Sequence, residues 1–86
     1  DSKILLRRTV ELLSAKGYRI GNVDCTLCLQ RPKVKPHIEA MRRTLAVAMG
    51  IAAEEVSVKA TTTEKLGFVG RQEGVEAHAV ALIYKE

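Results

Sequence analysis

Only three aromatic side chains, Tyr18, Phe68 and Tyr84, occur in the sequence, and tryptophan is missing altogether. A platform for single-stranded nucleic acid needs several exposed rings, so that class is weak from the outset. No apolar run approaches the roughly 20 residues of a membrane span, and no charged-then-apolar signal segment opens the chain. The expected setting is soluble and intracellular, with neither nucleic acid nor membrane as a partner. Cysteine is scarce as well: Cys25 and Cys28 form a single C-x-x-C. They lie inside Gly21-Asn22-Val23-Asp24-Cys25-Thr26-Leu27-Cys28-Leu29-Gln30, which alternates apolar and polar at period two. On a strand, residues three apart point to opposite faces, so the two sulfurs diverge. No second cysteine pair exists to complete a zinc site, and His37 and His78 lie far along the chain. Buried or half-buried thiols are expected here, with no metal between them.

What is present is ordinary globular material. Eighty-six residues allow one small domain. A chain of this size buries only about 60% of its unfolded surface, so its stability margin is thin or comes from partners. Apolar residues make up 47% and charged residues 28%, which argues against disorder. A net charge of +4 suits an anionic ligand without identifying one.

No linker, low-complexity tract or repeat interrupts the chain. The pattern predicts a helix over residues 2–16, capped by Ser2, with Leu6, Val10 and Leu13 as its apolar stripe and Lys16-Gly17 as its stop. A strand follows over residues 18–30, with Val23, Cys25, Leu27 and Leu29 on one face. Pro32 and Pro36 bracket a basic loop, and Pro36 suits the first turn of a second helix. Ile38, Met41, Leu45 and Met49 line that helix's core face, and Gly50 ends it. Residues 56–60 read as a short strand. Residues 75–84 read as the last one, with Ala77, Ala79 and Ala81 on one face and His78, Val80, Leu82 and Tyr84 on the other. The order helix-strand-helix-strand-strand predicts an α/β (α+β) sandwich, a mixed sheet with helices on one face. The second sheet face then needs a cover from outside this chain, either an oligomer or a further segment.

Three segments have the composition of ligand loops. Lys59-Ala60-Thr61-Thr62-Thr63-Glu64-Lys65 offers three successive hydroxyls and turning backbone N–H groups as a cradle for phosphate oxygens. Glu64 adds a carboxylate suited to Mg²⁺ shared with phosphates. The plainer reading is a threonine-rich strand end with a cap. Gln30-Arg31-Pro32-Lys33-Val34-Lys35-Pro36 sets three cations on a proline-stiffened loop, suited to a planar ligand edge and a phosphate, or else a solvated basic turn. Both segments follow strands, where ligand loops gather in α/β sheets. Gly67-Phe68-Val69-Gly70-Arg71-Gln72-Glu73-Gly74 is a glycine-punctuated loop that exposes one ring and one guanidinium, or else a hairpin-like connection with Phe68 tucked into the core. His78 reads as structural, and no Ser/His/Asp or Cys/His arrangement is legible.

Gly17-Tyr18-Arg19-Ile20-Gly21-Asn22-Val23-Asp24, Gln30-Arg31-Pro32-Lys33 and Pro36-His37-Ile38 resemble the 2-C-methyl-D-erythritol 2,4-cyclodiphosphate synthase family. Val58-Lys59-Ala60-Thr61-Thr62-Thr63-Glu64-Lys65-Leu66-Gly67-Phe68 carries the most specific part of the likeness, which continues through Gly70-Arg71 and Glu73-Gly74 to Ala79-Val80-Ala81-Leu82. The resemblance implies a lyase of non-mevalonate isoprenoid biosynthesis, trimeric, with active sites between subunits. Such an enzyme cyclises 4-diphosphocytidyl-2-C-methyl-D-erythritol 2-phosphate and releases CMP, using zinc together with Mg²⁺ or Mn²⁺. It implies that Leu29, Gln30, Arg31, Pro32, Lys33, Val34 and Lys35 enclose the cytidine, with Lys33 near the phosphates. Ala60, Thr61, Thr62 and Thr63 would hold the diphosphate, Thr62 as the catalytic hydroxyl and Glu64 as the Mg²⁺ ligand. Phe68 and Arg71 would lie near the trimer axis, by a cavity able to hold an isoprenoid phosphate.

Leu29 stands where the family usually has alanine, Lys35 where a residue is commonly apolar, and Gln72 where glycine is common. Cys25 and Cys28 replace alanine and isoleucine. The family's Asp-x-His metal motif, its third histidine ligand and its carboxylate-bearing substrate loop belong to an N-terminal half that this chain does not contain. The chain is therefore expected to be a single-domain C-terminal portion, its zinc ligands outside it, and inactive alone. The competing expectation is a non-catalytic cytidine-nucleotide-binding or trimerisation module. A bacterial cytoplasm or a plastid-type organelle is the implied location.

Overall fold

The computed structural model describes residues 1–29, 34–61 and 75–86. Helix α1 spans Ser2–Ala15. Its cap is Asp1 rather than the expected Ser2: an Asp1 carboxylate oxygen accepts from the Lys3 N–H at 2.8 Å, so Ser2 is already helical. Lys16 closes the last turn, donating its N–H to the Leu12 and Leu13 carbonyls. Gly17 then turns the chain at φ 85°, a left-handed conformation that a Cβ disfavours. Strand β1 follows at once, Tyr18–Cys28, with Leu29 just past its end; Gln30, the last residue of the expected strand, lies outside the described residues.

A 3₁₀ turn, Lys35–His37, contains Pro36 and leads into helix α2, Ile38–Met49. Pro36 thus occupies the turn before the α-helix rather than the helix itself, where its fixed φ costs nothing and no N–H is lost. Gly50 ends α2 in the left-handed region at φ 69°. A second 3₁₀ turn, Ala53–Glu55, precedes strand β2, Val56–Thr61, and the last strand, β3, runs Glu76–Lys85.

The sheet order is β2-β1-β3, with β1 parallel to β2 and antiparallel to β3. This is the mixed sheet expected. The core lies between the helices and the β1–β2 pair: Ala46 and Met49 of α2 pack against Val56 and Val58 of β2. Leu6, Val10, Val23, Cys25 and Leu27 support them from α1 and β1. The stripe expected on α2 does face inward, Met41 being half-buried with the rest. Met49 is buried, and Ile38 and Leu45 are partly so, but the deepest helical residue is Ala46 at 3% exposure. A small side chain there lets the helix sit close to the sheet.

Register keeps the expected alternation of β3 and shows which face the alanines take. Ala77, Ala79 and Ala81 pair with Leu27, Cys25 and Val23, so the alanine row shares the helix-facing side. It is nonetheless exposed, because α1 packs on β1 and α2 on β2, leaving β3 beyond their reach. On the other face Val80 is 72% exposed, with Leu82 and Tyr84 beside it. Both faces of β3 are open among the described residues.

Candidate functional site

Topology gives the two ends of the sheet different chemistry. A two-residue connection joins α1 to β1, so α1 runs opposite to β1; α2 crosses between two parallel strands, so it too runs opposite to them. Both helix N-termini therefore lie at the end where β1 and β2 finish. Exposed N–H groups and the positive ends of two helix dipoles collect there. In open α/β sheets the carboxyl ends of parallel strands are where ligands settle.

Both candidate loops leave from this end. Leu29, just past β1, donates its N–H to the Thr61 carbonyl at 3.2 Å. Cys28 and Thr61 are register partners one step earlier. That backbone bond extends the parallel ladder by one rung, fixing where the 29–35 segment and the threonine segment start relative to each other. Leu29 and Val34 are half-buried, Lys35 is exposed at the start of its 3₁₀ turn, Ala60 is half-buried and Thr61 is exposed. These are the expected site residues that the structure brings to one end. Gln30, Arg31, Pro32, Lys33, Thr62, Thr63, Glu64, Phe68 and Arg71 lie outside the described residues.

Strand alternation sets the side chains around this end. Ser57, Lys59 and Thr61 share the open sheet face, opposite Val56 and Val58. Asp24, Thr26 and Cys28 lie beside them on β1, and Glu76 and His78 lie beyond on β3. Lys59 Nζ stands 3.6 Å from Asp24 Oδ1, and His78 Nε2 stands 3.3 Å from Glu76 Oε2. Sequence reasoning passed over the Asp24–Lys59 pair, because 35 residues separate partners that only the parallel register makes adjacent.

Only one of the two cysteines serves as apolar filler. Cys25 packs on the core while Cys28 falls on the opposite face, and both are free thiols. Burial, followed by the neighbouring Asp24 charge, pushes the Cys25 thiol above its ordinary value. Among the described residues no group of three or more His, Cys, Asp or Glu side chains could hold a metal ion. No helix among them is long and apolar enough to cross a membrane.

A cleft of about 470 Å³ opens at the opposite end of the sheet, walled by Val10, Leu13, Tyr18, Met49 and Tyr84. It faces both helix C-termini, where carbonyl groups collect and an anion is disfavoured. For a phosphate-bearing ligand it is the wrong end.

Comparison with known proteins agrees with this architecture. A curated 2-C-methyl-D-erythritol 2,4-cyclodiphosphate synthase from Bacteroides thetaiotaomicron is 62% identical over all 86 residues, which correspond to 54% of its length. Another of that name, from Thioalkalivibrio sulfidiphilus, is 66% identical over 83 residues, covering 96% of this chain and 52% of the relative. The chain spans about half the length of these curated relatives. A crystal structure of the Plasmodium vivax synthase superposes with a TM-score of 0.96 at 36% identity, covering all of this chain and 57% of that one. A Plasmodium falciparum relative, solved as a CDP complex, gives 0.94 at 32% identity, over all of this chain and 55% of that one. The YgbB family model matches residues 1–84, and the chain belongs to that family.

Proposed function

We propose that the chain is the nucleotide- and diphosphate-binding portion of a 2-C-methyl-D-erythritol 2,4-cyclodiphosphate synthase, a phosphorus–oxygen lyase of non-mevalonate isoprenoid biosynthesis. The observation that carries this reading is the convergence at one sheet end. Two candidate loops leave adjacent parallel strands tied by the Leu29–Thr61 hydrogen bond, and two helix N-termini face the same side. The names of the curated relatives and the CDP held by a structural relative support the choice of ligand.

In this reading residues 29–35 enclose the cytidine of 4-diphosphocytidyl-2-C-methyl-D-erythritol 2-phosphate. Ala60, Thr61, Thr62 and Thr63 line its diphosphate. An oxygen of the 2-phosphate attacks the β-phosphorus, the bond from that phosphorus to the CMP oxygen breaks, and CMP leaves as the ring closes. The protein's part is to hold both phosphates in line and to neutralise charge. Thr62 donates its hydroxyl to a phosphoryl oxygen whose charge grows as the ring forms. Phe68 and Arg71 belong near a trimer axis, and the exposed Val80, Leu82 and Tyr84 offer apolar surface for copies to cover.

Divalent cations enter only as partners of the phosphates. Glu64 is the carboxylate assigned to Mg²⁺ or Mn²⁺, and the zinc ligands are placed outside this chain. A bacterial cytoplasm fits the bacterial origin of the curated relatives, a plastid-type compartment being the alternative.

Titration of the complete protein with CDP and with ADP tests the reading. CDP is expected to bind and ADP to bind much more weakly, and Thr62→Ala is expected to slow CMP release by about 2–4 kcal/mol in the barrier. Equal, negligible binding of both nucleotides refutes it. A protein that binds CDP but never cyclises substrate would favour the binding-module alternative.

A further inference from the structure

Lys59 is the same-face neighbour of Thr61, two residues before it on β2, while Ala60 between them faces the helices. Its ammonium stands 3.6 Å from Asp24 Oδ1 on β1, and both side chains are more than half exposed. An exposed pair at that distance holds weakly and exchanges partners readily. A flexible four-carbon stem lets the lysine head swing along the face of its own strand. Glu76, across Cys28 from Thr61 in the register, is already engaged by His78 at 3.3 Å. The cation nearest Thr61 along its own strand is therefore one whose present partner is easily given up.

We propose that Lys59 is a further diphosphate-binding residue, held by Asp24 when the site is empty and drawn to the anion when a nucleoside diphosphate reaches Thr61. The proposal rests on the reading of Thr61 as a diphosphate contact. Asp24 acts as a competitor for the same ammonium: it keeps the lysine on the open face and gives it up when a stronger anion arrives. A diphosphate carries more charge than one carboxylate and accepts charge-assisted hydrogen bonds on several oxygens, so the exchange favours the ligand.

The test uses the complete protein with CDP and with uncharged cytidine, titrated calorimetrically at low and high salt. Lys59→Gln is expected to weaken CDP binding about 5–10-fold at low salt, with the gap closing as salt screens the exposed charges. Cytidine affinity should be unchanged, which a general loss of structure would not produce. Asp24→Asn is expected to tighten CDP binding about 2–3-fold by removing the competing carboxylate. That gain should vanish in the Lys59→Gln background. Circular dichroism of each variant checks that the fold is retained. Lys59→Gln binding CDP as tightly as the wild type, or losing CDP and cytidine alike, overturns the assignment of Lys59. A weaker Asp24→Asn overturns the competitor role. Wild-type protein that binds no CDP defeats the underlying reading, and this proposal with it.

Discussion

Val58 and Lys59 are consecutive residues with opposite duties, and a pair of substitutions separates them. Val58 is 8% exposed, seated among Ala46, Met49 and Val56 and paired across β1 with Cys25. Val58→Ala removes two buried methyl groups, worth about 0.8 kcal/mol each in transfer free energy, or about 1.6 kcal/mol together. If about half of the ~50 Å³ vacated stays open, cavity cost at about 24 cal/mol per Å³ adds ~0.6 kcal/mol. The expected loss is about 2 kcal/mol, a sizeable part of the 5–15 kcal/mol that holds a typical domain together. Urea unfolding followed by far-ultraviolet circular dichroism should show the midpoint falling while CDP affinity, measured well below that midpoint, is unchanged. Lys59→Gln should do the reverse. A Val58→Ala loss below about 0.5 kcal/mol would mean that the α2–β2 contact is not the core. Lost CDP affinity in a still-folded Val58→Ala protein would mean that the two faces of β2 are not independent.

Two smaller expectations concern backbone and charge. Gly50→Ala meets nothing within 4 Å of the new Cβ, so its cost is the left-handed backbone alone, about 1 kcal/mol, and a thermal-melt shift too small to resolve would refute that account. The Cys25 thiol, its pKa raised by burial and then by Asp24, favours the protonated form in the folded state. Its contribution to stability is fully present below its ordinary value of 9.0 and is lost as pH rises through the raised folded value. Thiol-labelling rates near pH 8 should show Cys25 reacting slowly in the folded protein, and labelling as fast as in urea would contradict the burial.

The helices and strands were largely legible because their signals are local. Gly17 and Gly50 mark both helix stops, and the alternation from Val23 to Leu27 identifies the inward face of β1. The caps were harder: Asp1 and Ser2 both suit an N-cap, and only the Asp1–Lys3 hydrogen bond chooses between them. Partners were not legible at all. Whether Thr61 lies beside Leu29, or Lys59 beside Asp24, depends on the register of two strands that never meet in the linear sequence. The alanine row shows the same difficulty. Its composition suggests close packing, but only the pairing of Ala79 with Cys25 shows which face it occupies, and only the positions of the helices show that it is bare.

The register between β1 and β3 slips once, between Ile20 and Asn22, leaving Gly21 unpaired as a bulge. A Cβ at Gly21 would come within 3.3 Å of the Leu82 carbonyl oxygen and 3.6 Å of the Tyr84 ring. The slip resets the strand's phase, so Ile20 and Val23 both reach the core although they are three apart. β1 is in effect two short strands joined end to end. Tyr18, Arg19 and Ile20 answer only to β3, and the stretch from Val23 onward answers to both neighbours. Loss of a residue is ordinarily ruinous in a strand, since it turns every later side chain over. At Gly21 alone a deletion would leave both phases intact, and variation in chain length among relatives could be absorbed there without disturbing the rungs that carry Leu29 and Thr61.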